Sequence, residues 1–299
     1  MKIKFWGTRG SIPTPSTHSF STMRYGGDTS CLSIESGGQL IILDGGSGLR
    51  LLGTEFARSN RRHAIFFFTH VHWDHIQGFP FFMPAFNPSN HFEMYGPAIH
   101  TYTSTDVYSS VLEHALRGQQ TFFTFPVPLN DMPSTIKFYD MDPHKVVTIA
   151  GENVELHISC AQLNHPGGCL GYRIEEKRVG EESRVFAYVT DTEHYAPPHL
   201  NPNVQLLAQN ADVFLYDAQF TDQEYNGETG LCRRGWGHYT WTNGLRECKE
   251  AKAKLLVLSH HDPWRDDDAL EKLENEAVEA GAREGVHIVA AKQFMEIEI

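Results

Sequence analysis

The stretch that decides the fold reads Ala64-Ile65-Phe66-Phe67-Phe68, followed by Thr69-His70-Val71-His72-Trp73-Asp74-His75. The first part is a continuous apolar run with the length and composition of a buried β-strand. The second part places three histidines and one aspartate within six residues, and all four side chains are of types that bind metal ions. The sequence therefore predicts a buried strand that ends in a metal-binding loop.

The spacing of these four side chains suits two ions. Residues i and i+2 of an extended chain point to the same side, so His70 and His72 can bind one ion. A turn into the next element lets Asp74 and His75 face a second ion. Imidazole with carboxylate suits zinc, with manganese or iron as alternatives, and ions about 3.5–4 Å apart would share a hydroxide as the nucleophile. A loop of ordinary surface histidines is the alternative interpretation.

Alternation of strands and helices continues on both sides of this loop. Upstream, strands are expected at residues 2–6, 31–35 and 40–44, the last two joined by a hairpin turn at Gly37-Gly38. A helix is expected over about 49–56. Downstream, the expected strands are 146–149, 154–160, 170–174, 185–189, 213–216, 255–259 and 286–290. Further helices are expected near 245–252 and over 267–280, the second ended by Gly281. The second half of the chain thus repeats the alternation of the first.

A segment of different character lies at about residues 98–142. A helix is expected over 105–117, with Val107, Val111, Leu112 and Ala115 on one face, and the stretch Phe122-Phe123-Thr124-Phe125 follows it. No linker rich in Pro, Gly or Ser divides the chain. We therefore expect a single domain over residues 1–299, with a short insertion over its site at 98–142.

Composition and charge exclude several classes of protein. Of the 299 residues, 40% are apolar and 21% are charged, which fits a globular chain. The formal net charge of −12 argues against a large basic face for folded nucleic acid. The five cysteines include no C-x-x-C pair, and no apolar run is long enough to span a membrane. We expect a cytoplasmic protein without a membrane partner.

The H-x-H-x-D-H pattern after an apolar strand resembles the metallo-β-lactamase superfamily. The resemblance implies an α/β fold, the αββα sandwich, in which two mixed β-sheets are flanked by helices and the metals lie at one edge between the sheets. Three further ligands of that superfamily occur in the required order, so the resemblance spans nearly the whole chain. They are His165 in Gln162-Leu163-Asn164-His165-Pro166, Asp191 in Tyr188-Val189-Thr190-Asp191-Thr192, and His260 in Leu258-Ser259-His260-His261-Asp262-Pro263.

The same resemblance implies how the ligands divide between two ions. His70, His72 and His165 would hold one ion, and Asp74, His75 and His260 would hold the other. Asp191 would bridge them. His261 is the alternative to His260 at the last position.

Residues outside this ligand set resemble the tRNase Z-like branch of the superfamily. The matching stretches are Gly7-Thr8-Arg9-Gly10-Ser11-Ile12-Pro13, Asp44-Gly45-Gly46 and Gly237-His238-Tyr239-Thr240. That branch pairs a late histidine with a carboxylate, here His238 with Asp217, although aspartate replaces the usual glutamate and Tyr239 the usual serine. The resemblance implies catalytic roles for Asp74, His238 and Asp217. His238 would donate to the leaving oxygen or to a phosphoryl oxygen, and Asp217 would orient His238. The plainer alternatives are a surface histidine and a turn carboxylate.

The choice of substrate rests on charge and on further resemblance. Enzymes of tRNA maturation carry a basic arm, whereas the expected insertion has only Arg117 and Lys137 as basic residues. The stretches 26–31 and 260–263 resemble bacterial and phage members associated with cyclic-nucleotide hydrolysis. We therefore expect a homodimeric, dinuclear metal-dependent phosphodiesterase, with two zinc ions, that hydrolyses 3′,5′-cyclic nucleotides or similar small phosphodiesters. The alternatives are a tRNase Z-like RNA 3′ processing endonuclease and a non-hydrolytic cyclic-nucleotide sensor.

Two features have two interpretations each. Asp44 ends a strand before two glycines, and it can either orient a metal-binding histidine or stabilise the turn. The aromatic residues Phe79, Phe81, Phe82 and Phe86, with the 122–125 stretch, can either form a wall for a nucleobase or belong to the core.

Overall fold

The computed structural model describes residues 1–98, 110–194 and 199–299. Within these ranges the chain forms two mixed sheets of seven strands each. The first sheet begins with β1 (Lys2–Gly7), β2 (Cys31–Ser36), β3 (Gln39–Leu43), β4 (His63–Phe67), β5 (His91–Pro97) and β6 (Thr135–Met141). The second sheet contains β7 (Val147–Gly151), β8 (Val154–Leu163), β9 (Cys169–Lys177), β10 (Arg184–Val189), β11 (Val213–Asp217), β12 (Leu255–Ser259) and β13 (His287–Ala290). The last strand, β14 (Glu296–Glu298), returns to the first sheet beside β1.

The two sheets share one connection pattern. The order of the first is β14-β1-β2-β3-β4-β5-β6, and that of the second is β13-β12-β11-β10-β9-β8-β7. In each sheet the early strands of that half pair antiparallel, and the next pairings, β3 to β6 and β10 to β13, are parallel. This repeat confirms the expected similarity of the two halves of the chain.

Helices cover the outer face of each sheet, and two short ones, at residues 73–76 and 222–226, lie in the connections between elements. They are α1 (Leu49–Arg58), α2 (Trp73–Ile76), α3 (Val111–Gln119), α4 (Pro202–Ala208), α5 (Asp222–Asn226), α6 (Trp241–Ala251) and α7 (Asp267–Glu284). Short 3₁₀ turns lie at Phe79–Phe81, Met83–Phe86 and Leu129–Asp131. One apolar core lies between the sheets, a second lies between the first sheet and α1 with α3, and a third lies between the second sheet and α4, α6 and α7. The expected αββα sandwich is confirmed.

Strand β4 shows why a continuous apolar run is needed at this place. Ile65 and Phe67 point into the core between the sheets, whereas Ala64, Phe66 and Phe68 point into the core beneath the helices. A strand that is covered on both faces has no solvent side on which polar residues could alternate. The apolar run therefore identifies a central strand of a layered fold.

The structure corrects three expectations. The segment expected as an insertion contains β6, which pairs with β5 along its whole length, so the end of that segment belongs to the first sheet. Helix α3 begins after Ser110, whose side chain accepts a hydrogen bond from the Glu113 N–H, and Val107 lies outside the described residues. Helix α7 continues through Gly281 and ends at Glu284, and the next residue, Gly285, adopts the left-handed conformation. The assignment of residues 1–299 to a single domain stays a prediction.

No helix in the described ranges combines the length and the apolar character that crossing a membrane requires.

Candidate metal centre

The candidate site lies at the edge where strands of both sheets end. In the first sheet, β3 is followed by Asp44 and β4 leads into the loop of residues 70–75. In the second sheet, β10 is followed by Asp191, β12 by His260 and β8, two residues on, by His165. Parallel strands have their carboxyl ends at one edge of a sheet, so this topology brings together residues that are far apart in the sequence.

One group of ligand atoms contains three histidines. The imidazole nitrogens of His70, His72 and His165 lie within 4.8 Å of one another. His165 Nε2 is 2.9 Å from His72 Nδ1. His70 Nε2 is buried and has no hydrogen-bond partner among the described residues. A buried nitrogen without a partner is costly unless another ligand satisfies it, so this atom fits a metal ion.

The second group combines carboxylates with histidines. Ligand atoms of Asp74, His75, Asp191 and His260 lie within 4.8 Å of one another, and all four residues are buried. His260 Nε2 is 3.2 Å from Asp74 Oδ2, and His75 Nε2 is 3.4 Å from the same oxygen. Oxygen and imidazole donors in such a cluster suit zinc or another first-row divalent ion.

Asp191 lies between the two groups. Its Oδ2 is 3.2 Å from His75 Nε2, and its Oδ1 is 3.2 Å from His260 Nε2. The same Oδ1 is 3.9 Å from the Nε2 atoms of both His70 and His165. One carboxylate thus faces both groups of ligands, which is the arrangement that a bridging ligand requires.

Three residues at this edge adopt a backbone conformation that is rare for side-chain-bearing residues. Asp44 and His260, each directly after a strand, and Asp191, two residues after β10, have φ values of 59°, 59° and 47°. Left-handed backbone costs of order 1 kcal/mol per non-glycine residue and is retained where the surrounding structure demands it. This strained backbone conformation directs the three side chains toward the site or toward the residues that orient its histidines.

Asp44 holds two of the histidines in one tautomer. Its Oδ2 accepts a hydrogen bond from His75 Nδ1 at 2.9 Å and another from the Tyr188 hydroxyl at 2.8 Å. It also accepts from the Thr69 hydroxyl, whose oxygen lies 3.0 Å from His70 Nδ1. With the proton fixed on Nδ1, the Nε2 atoms of His70 and His75 face the cluster. Of the two roles considered for Asp44, orienting histidines is the one that the contacts support.

His165 and His260 are also each oriented by a hydrogen bond from Nδ1. His165 Nδ1 donates to the Gly237 carbonyl at 2.9 Å. His260 Nδ1 donates to Gln219 Oε1 at 3.2 Å. Sequence reasoning missed both partners, since a backbone carbonyl and an isolated glutamine carry no sequence signal.

Burial and charge decide the protonation of the clustered carboxylates and imidazoles. Burial alone would raise the pKa of Asp74 and Asp191, but neighbouring His75 and His260 hold both pKa values well below the usual range. Burial opposes the charge on His260, yet Asp191 and Asp74 raise its pKa to about 9. Both carboxylates are thus ionised, which is the state that binds cations.

His238 and Asp217 form a pair beside this cluster. His238 Nδ1 donates to Asp217 Oδ2 at 2.9 Å, so the shorter aspartate side chain reaches the imidazole. The His238 ring centroid is 5.0 Å from that of His165 and 4.9 Å from that of His260. The imidazole therefore stands next to one histidine of each ligand group.

His261, the alternative to His260, is turned away from the cluster. Its Nε2 donates to the Ala291 carbonyl at 2.8 Å, and its ring contacts Tyr25 edge-on. Burial and the positive charge of Arg9 lower its pKa to about 3, so it is neutral. The geometry favours His260 as the ligand.

The aromatic residues divide between core and surface. Phe79 and Phe82 are fully buried beneath the first sheet, as the core interpretation expects. Phe81, Phe122 and Phe123 are exposed, and Phe81 packs edge-on against Phe125 with centroids 5.4 Å apart. A stacking role for the exposed rings stays a prediction.

Comparison with known proteins identifies the family. A family model described as a beta-lactamase superfamily domain matches residues 41–261. The chain belongs to the metallo-β-lactamase superfamily. Residues 41–261 include every metal ligand and catalytic residue expected from the sequence.

Relatives of this metallo-β-lactamase superfamily member include ribonucleases. Ribonuclease Z from Acaryochloris marina is 26% identical, with 88% of this chain and 86% of the relative covered. Ribonuclease Z from Streptococcus suis is 24% identical, with both chains covered completely. The crystal structure of the metallo-β-lactamase fold protein YhfI from Bacillus subtilis superposes with a TM-score of 0.63 at 19% identity, covering 100% of this chain and 99% of YhfI. The expectation of a metal-dependent hydrolase is confirmed.

Proposed function

We propose that this superfamily member is a two-metal phosphodiesterase that hydrolyses 3′,5′-cyclic nucleotides or similarly small phosphodiesters. The observation that carries the proposal is the His238–Asp217 pair beside two groups of ligand atoms, with Asp191 of the second group also facing the first. A metal-bound phosphodiester needs a proton for its alkoxide leaving group, and a carboxylate-oriented imidazole can supply it.

Asp217 is itself held rigidly for this role. Its Oδ2 accepts a hydrogen bond from the Thr192 backbone N–H at 3.1 Å, and its Oδ1 accepts one from the Gln219 backbone N–H at 3.1 Å. Those bonds fix the carboxylate, which in turn keeps the His238 proton on Nδ1 when the ring is neutral. The protonated ring carries a second proton on Nε2, and that proton is the one available for transfer.

The bond changes follow from this placement. Water adds to phosphorus and releases one proton to solvent, and the bond from phosphorus to the ribose oxygen breaks with its electron pair on that oxygen. The oxygen takes the proton from His238 Nε2, and a solvent proton restores the imidazolium. His70, His72 and His165 would hold one ion, Asp74, His75 and His260 the other, and Asp191 both. When bound, two zinc ions lower the pKa of water and neutralise phosphate oxygens.

Three arginines make contacts within the protein, and this engagement of their guanidinium groups favours a small substrate. Arg9 is fully buried and donates to the carbonyls of Gly26 and Arg265. Arg265 binds Glu224 at 2.6 Å, and Arg233 lies over the Phe220 ring. With a net charge of −12, anion binding depends on the cations of the site.

A tRNase Z-like activity on RNA 3′ ends is the second candidate. The observation that favours it is the similarity to ribonuclease Z from two bacteria over most of both chains. Binding of a cyclic nucleotide without hydrolysis is the non-enzymatic candidate. The homodimer and the cytoplasmic location expected from the sequence stay predictions.

One panel of assays tests these candidates. Metal content is measured by mass spectrometry, and hydrolysis of cyclic AMP, cyclic GMP, bis(p-nitrophenyl) phosphate and a precursor tRNA is measured side by side. Asp74→Asn serves as the matched variant without one predicted ligand. We expect two equivalents of zinc, cleavage of the cyclic nucleotides by the wild-type protein alone, and no trimming of tRNA.

Other outcomes of the panel contradict the proposal in distinct ways. Trimming of tRNA without cleavage of cyclic nucleotides would establish the second candidate. Retention of cyclic AMP without product would establish the sensor. Equal turnover by Asp74→Asn with its metal intact would remove the predicted site.

A further inference from the structure

Glu193 is a half-buried carboxylate two residues beyond the bridging position of Asp191. Its Oε1 accepts hydrogen bonds from the Gly235 backbone N–H and from the Tyr225 hydroxyl, each at 2.7 Å. Its Oε2 accepts one from the Gly237 backbone N–H at 3.0 Å. A single side chain thus binds both ends of the three-residue turn from Gly235 to Gly237.

The backbone of Glu193 is tied to a second loop of the site. Its N–H donates to the Asn164 carbonyl at 2.8 Å, and its carbonyl accepts from Asn164 Nδ2 at 3.1 Å. Asn164 directly precedes His165. The turn and the loop that carries His165 are therefore fixed to the same residue.

The turn lies directly against the imidazole of His165. The Gly237 carbonyl accepts the His165 Nδ1 hydrogen bond at 2.9 Å. Gly237 has a φ of 86°, and a Cβ at this position would lie 2.2 Å from His165 Nδ1. No other residue type fits here, and a displacement of the turn would take away the acceptor that sets the tautomer of His165.

We propose that Glu193 is a positioning residue for the metal centre. By holding the Gly235–Gly237 turn, it fixes the acceptor of His165 and the place where His238 leaves that turn. The inference rests on the proposed function, because it takes His165 as a metal ligand and His238 as the proton donor.

The three donors explain why a carboxylate is needed. A carboxylate offers two acceptor oxygens, and hydrogen bonds to a charged acceptor are roughly twice as strong as neutral ones. Glutamine is nearly the same size but offers one oxygen, and its NH₂ group would face one of the two glycine N–H groups. Two facing donors repel each other, so we expect the amide to release one end of the turn.

The test compares Glu193→Gln with Glu228→Gln, the same substitution at an exposed residue that precedes the Gly235–Gly237 turn in the sequence. Zinc affinities of both sites are measured by competition with a chromophoric chelator, beside thermal unfolding. In Glu193→Gln we expect one of the two affinities to fall about 10- to 100-fold, the usual effect of losing an outer contact of a histidine ligand. The other affinity and those of Glu228→Gln should stay at the wild-type values.

A second variant separates the turn from helix α5. Tyr225→Phe removes the hydroxyl donor but keeps both glycine hydrogen bonds, so its zinc affinities should match the wild type. The role of the turn is overturned if Tyr225→Phe weakens zinc as much as Glu193→Gln does. It is also overturned if Glu193→Gln binds both ions normally, or weakens both equally, as a general loss of charge would.

Turnover is recorded separately, so that the two proposals can fail independently. If the wild-type protein hydrolyses no phosphodiester but Glu193→Gln still loses one zinc affinity, the proposed function is wrong and the positioning role stands. If turnover is present and Glu193→Gln leaves both affinities unchanged, the positioning role is wrong and the function stands.

Discussion

His238 donates a proton in the proposed reaction, and the need for that proton depends on the leaving group. The ribose oxygen of cyclic AMP leaves as a strongly basic alkoxide, whereas p-nitrophenolate is a stable anion. We expect His238→Ala to lower turnover of cyclic AMP about 10²- to 10⁴-fold, the usual range for general acid catalysis. Turnover of bis(p-nitrophenyl) phosphate should fall far less, and zinc content should stay unchanged. Steady-state kinetics on the two substrates measure this difference.

Equal losses on the two substrates would contradict the role of proton donor. They would indicate that His238, whose ring lies about as close to His165 as to His260, contacts a phosphoryl oxygen instead. Asp217→Asn is the companion variant, and it should show the same substrate dependence because the pair acts as a unit.

We predict opposite effects on zinc binding for substitutions at the neighbouring residues His260 and His261. His260 Nε2 lies 3.2 Å from Asp191 Oδ1, so His260→Ala should remove a ligand and reduce bound zinc. His261 donates to the Ala291 carbonyl, and glutamine can replace that donor. We therefore expect His261→Gln to keep two equivalents of zinc and to lose on the order of 1 kcal/mol of unfolding free energy. Zinc content and urea unfolding check both variants, and loss of zinc in His261→Gln alone would reverse the assignment.

At the residue scale, the sequence groups the candidate site residues but does not indicate the contacts that hold them. His70, His72, Asp74 and His75 share one short segment with a recognisable spacing, so no tertiary information was needed to group them. The contacts that orient the ring of His165 come from a carbonyl, which no side-chain pattern can report. Whether Asp217 could reach His238 depended on the separation of two chain segments, which a sequence does not encode directly.

Among the elements, the ends of helices and the edge strands differed most from expectation. Strand β4 was predictable because it is covered on both faces and reads as an uninterrupted apolar run. Edge strand β6 is partly exposed on both faces, so its sequence Thr135–Met141 lacks that signal. In α7, the sequence predicts a helix end at Gly281 because glycine favours helix ends, but the missing side chain of Gly281 allows close packing instead.

Substitution of two glycines within helices by alanine should change the stability of the protein in opposite directions. At Gly118 in α3 an added Cβ meets nothing within 4 Å, so Gly118→Ala should stabilise the protein by about 0.5–1 kcal/mol. At Gly281 in α7 the Cβ would lie 2.6 Å from the Val286 carbonyl oxygen and 2.7 Å from Ile288 Cδ1. Overpacking costs about 1–3 kcal/mol, which exceeds the gain in helix propensity, so Gly281→Ala should destabilise. Urea unfolding at a fixed zinc concentration measures both, and a stabilised Gly281→Ala would show that β13 can move away from α7.

On the scale of the whole molecule, the site arises because both sheets connect their strands in the same order. Each half ends its parallel strands at the same edge, so Asp44 from one half meets Tyr188 from the other across the sandwich. The alternation of strands and helices predicted this architecture. It did not predict which loops would touch, since contacts such as Glu193 with Gly235 depend on how the two halves pack.

The net charge of −12 sets a final test that separates a small substrate from RNA. The ligand cluster consists of carboxylates and imidazoles, so in the proposed function the attraction for a phosphodiester would come from the metal ions that this cluster holds. Contacts of a few ångströms are shorter than the Debye length of about 10 Å at 0.1 M salt, so screening affects them little. We expect kcat/KM for cyclic AMP to change less than about threefold between about 50 and 200 mM KCl, whereas a protein with 6–10 phosphate contacts loses about 10³- to 10⁵-fold in affinity over that range. Steady-state kinetics at several salt concentrations, beside precursor tRNA binding under the same conditions, measure both slopes. A steep loss of tRNA binding from a high affinity at low salt would reveal a basic surface on the assembled protein and would favour the RNA-processing candidate over the small diester.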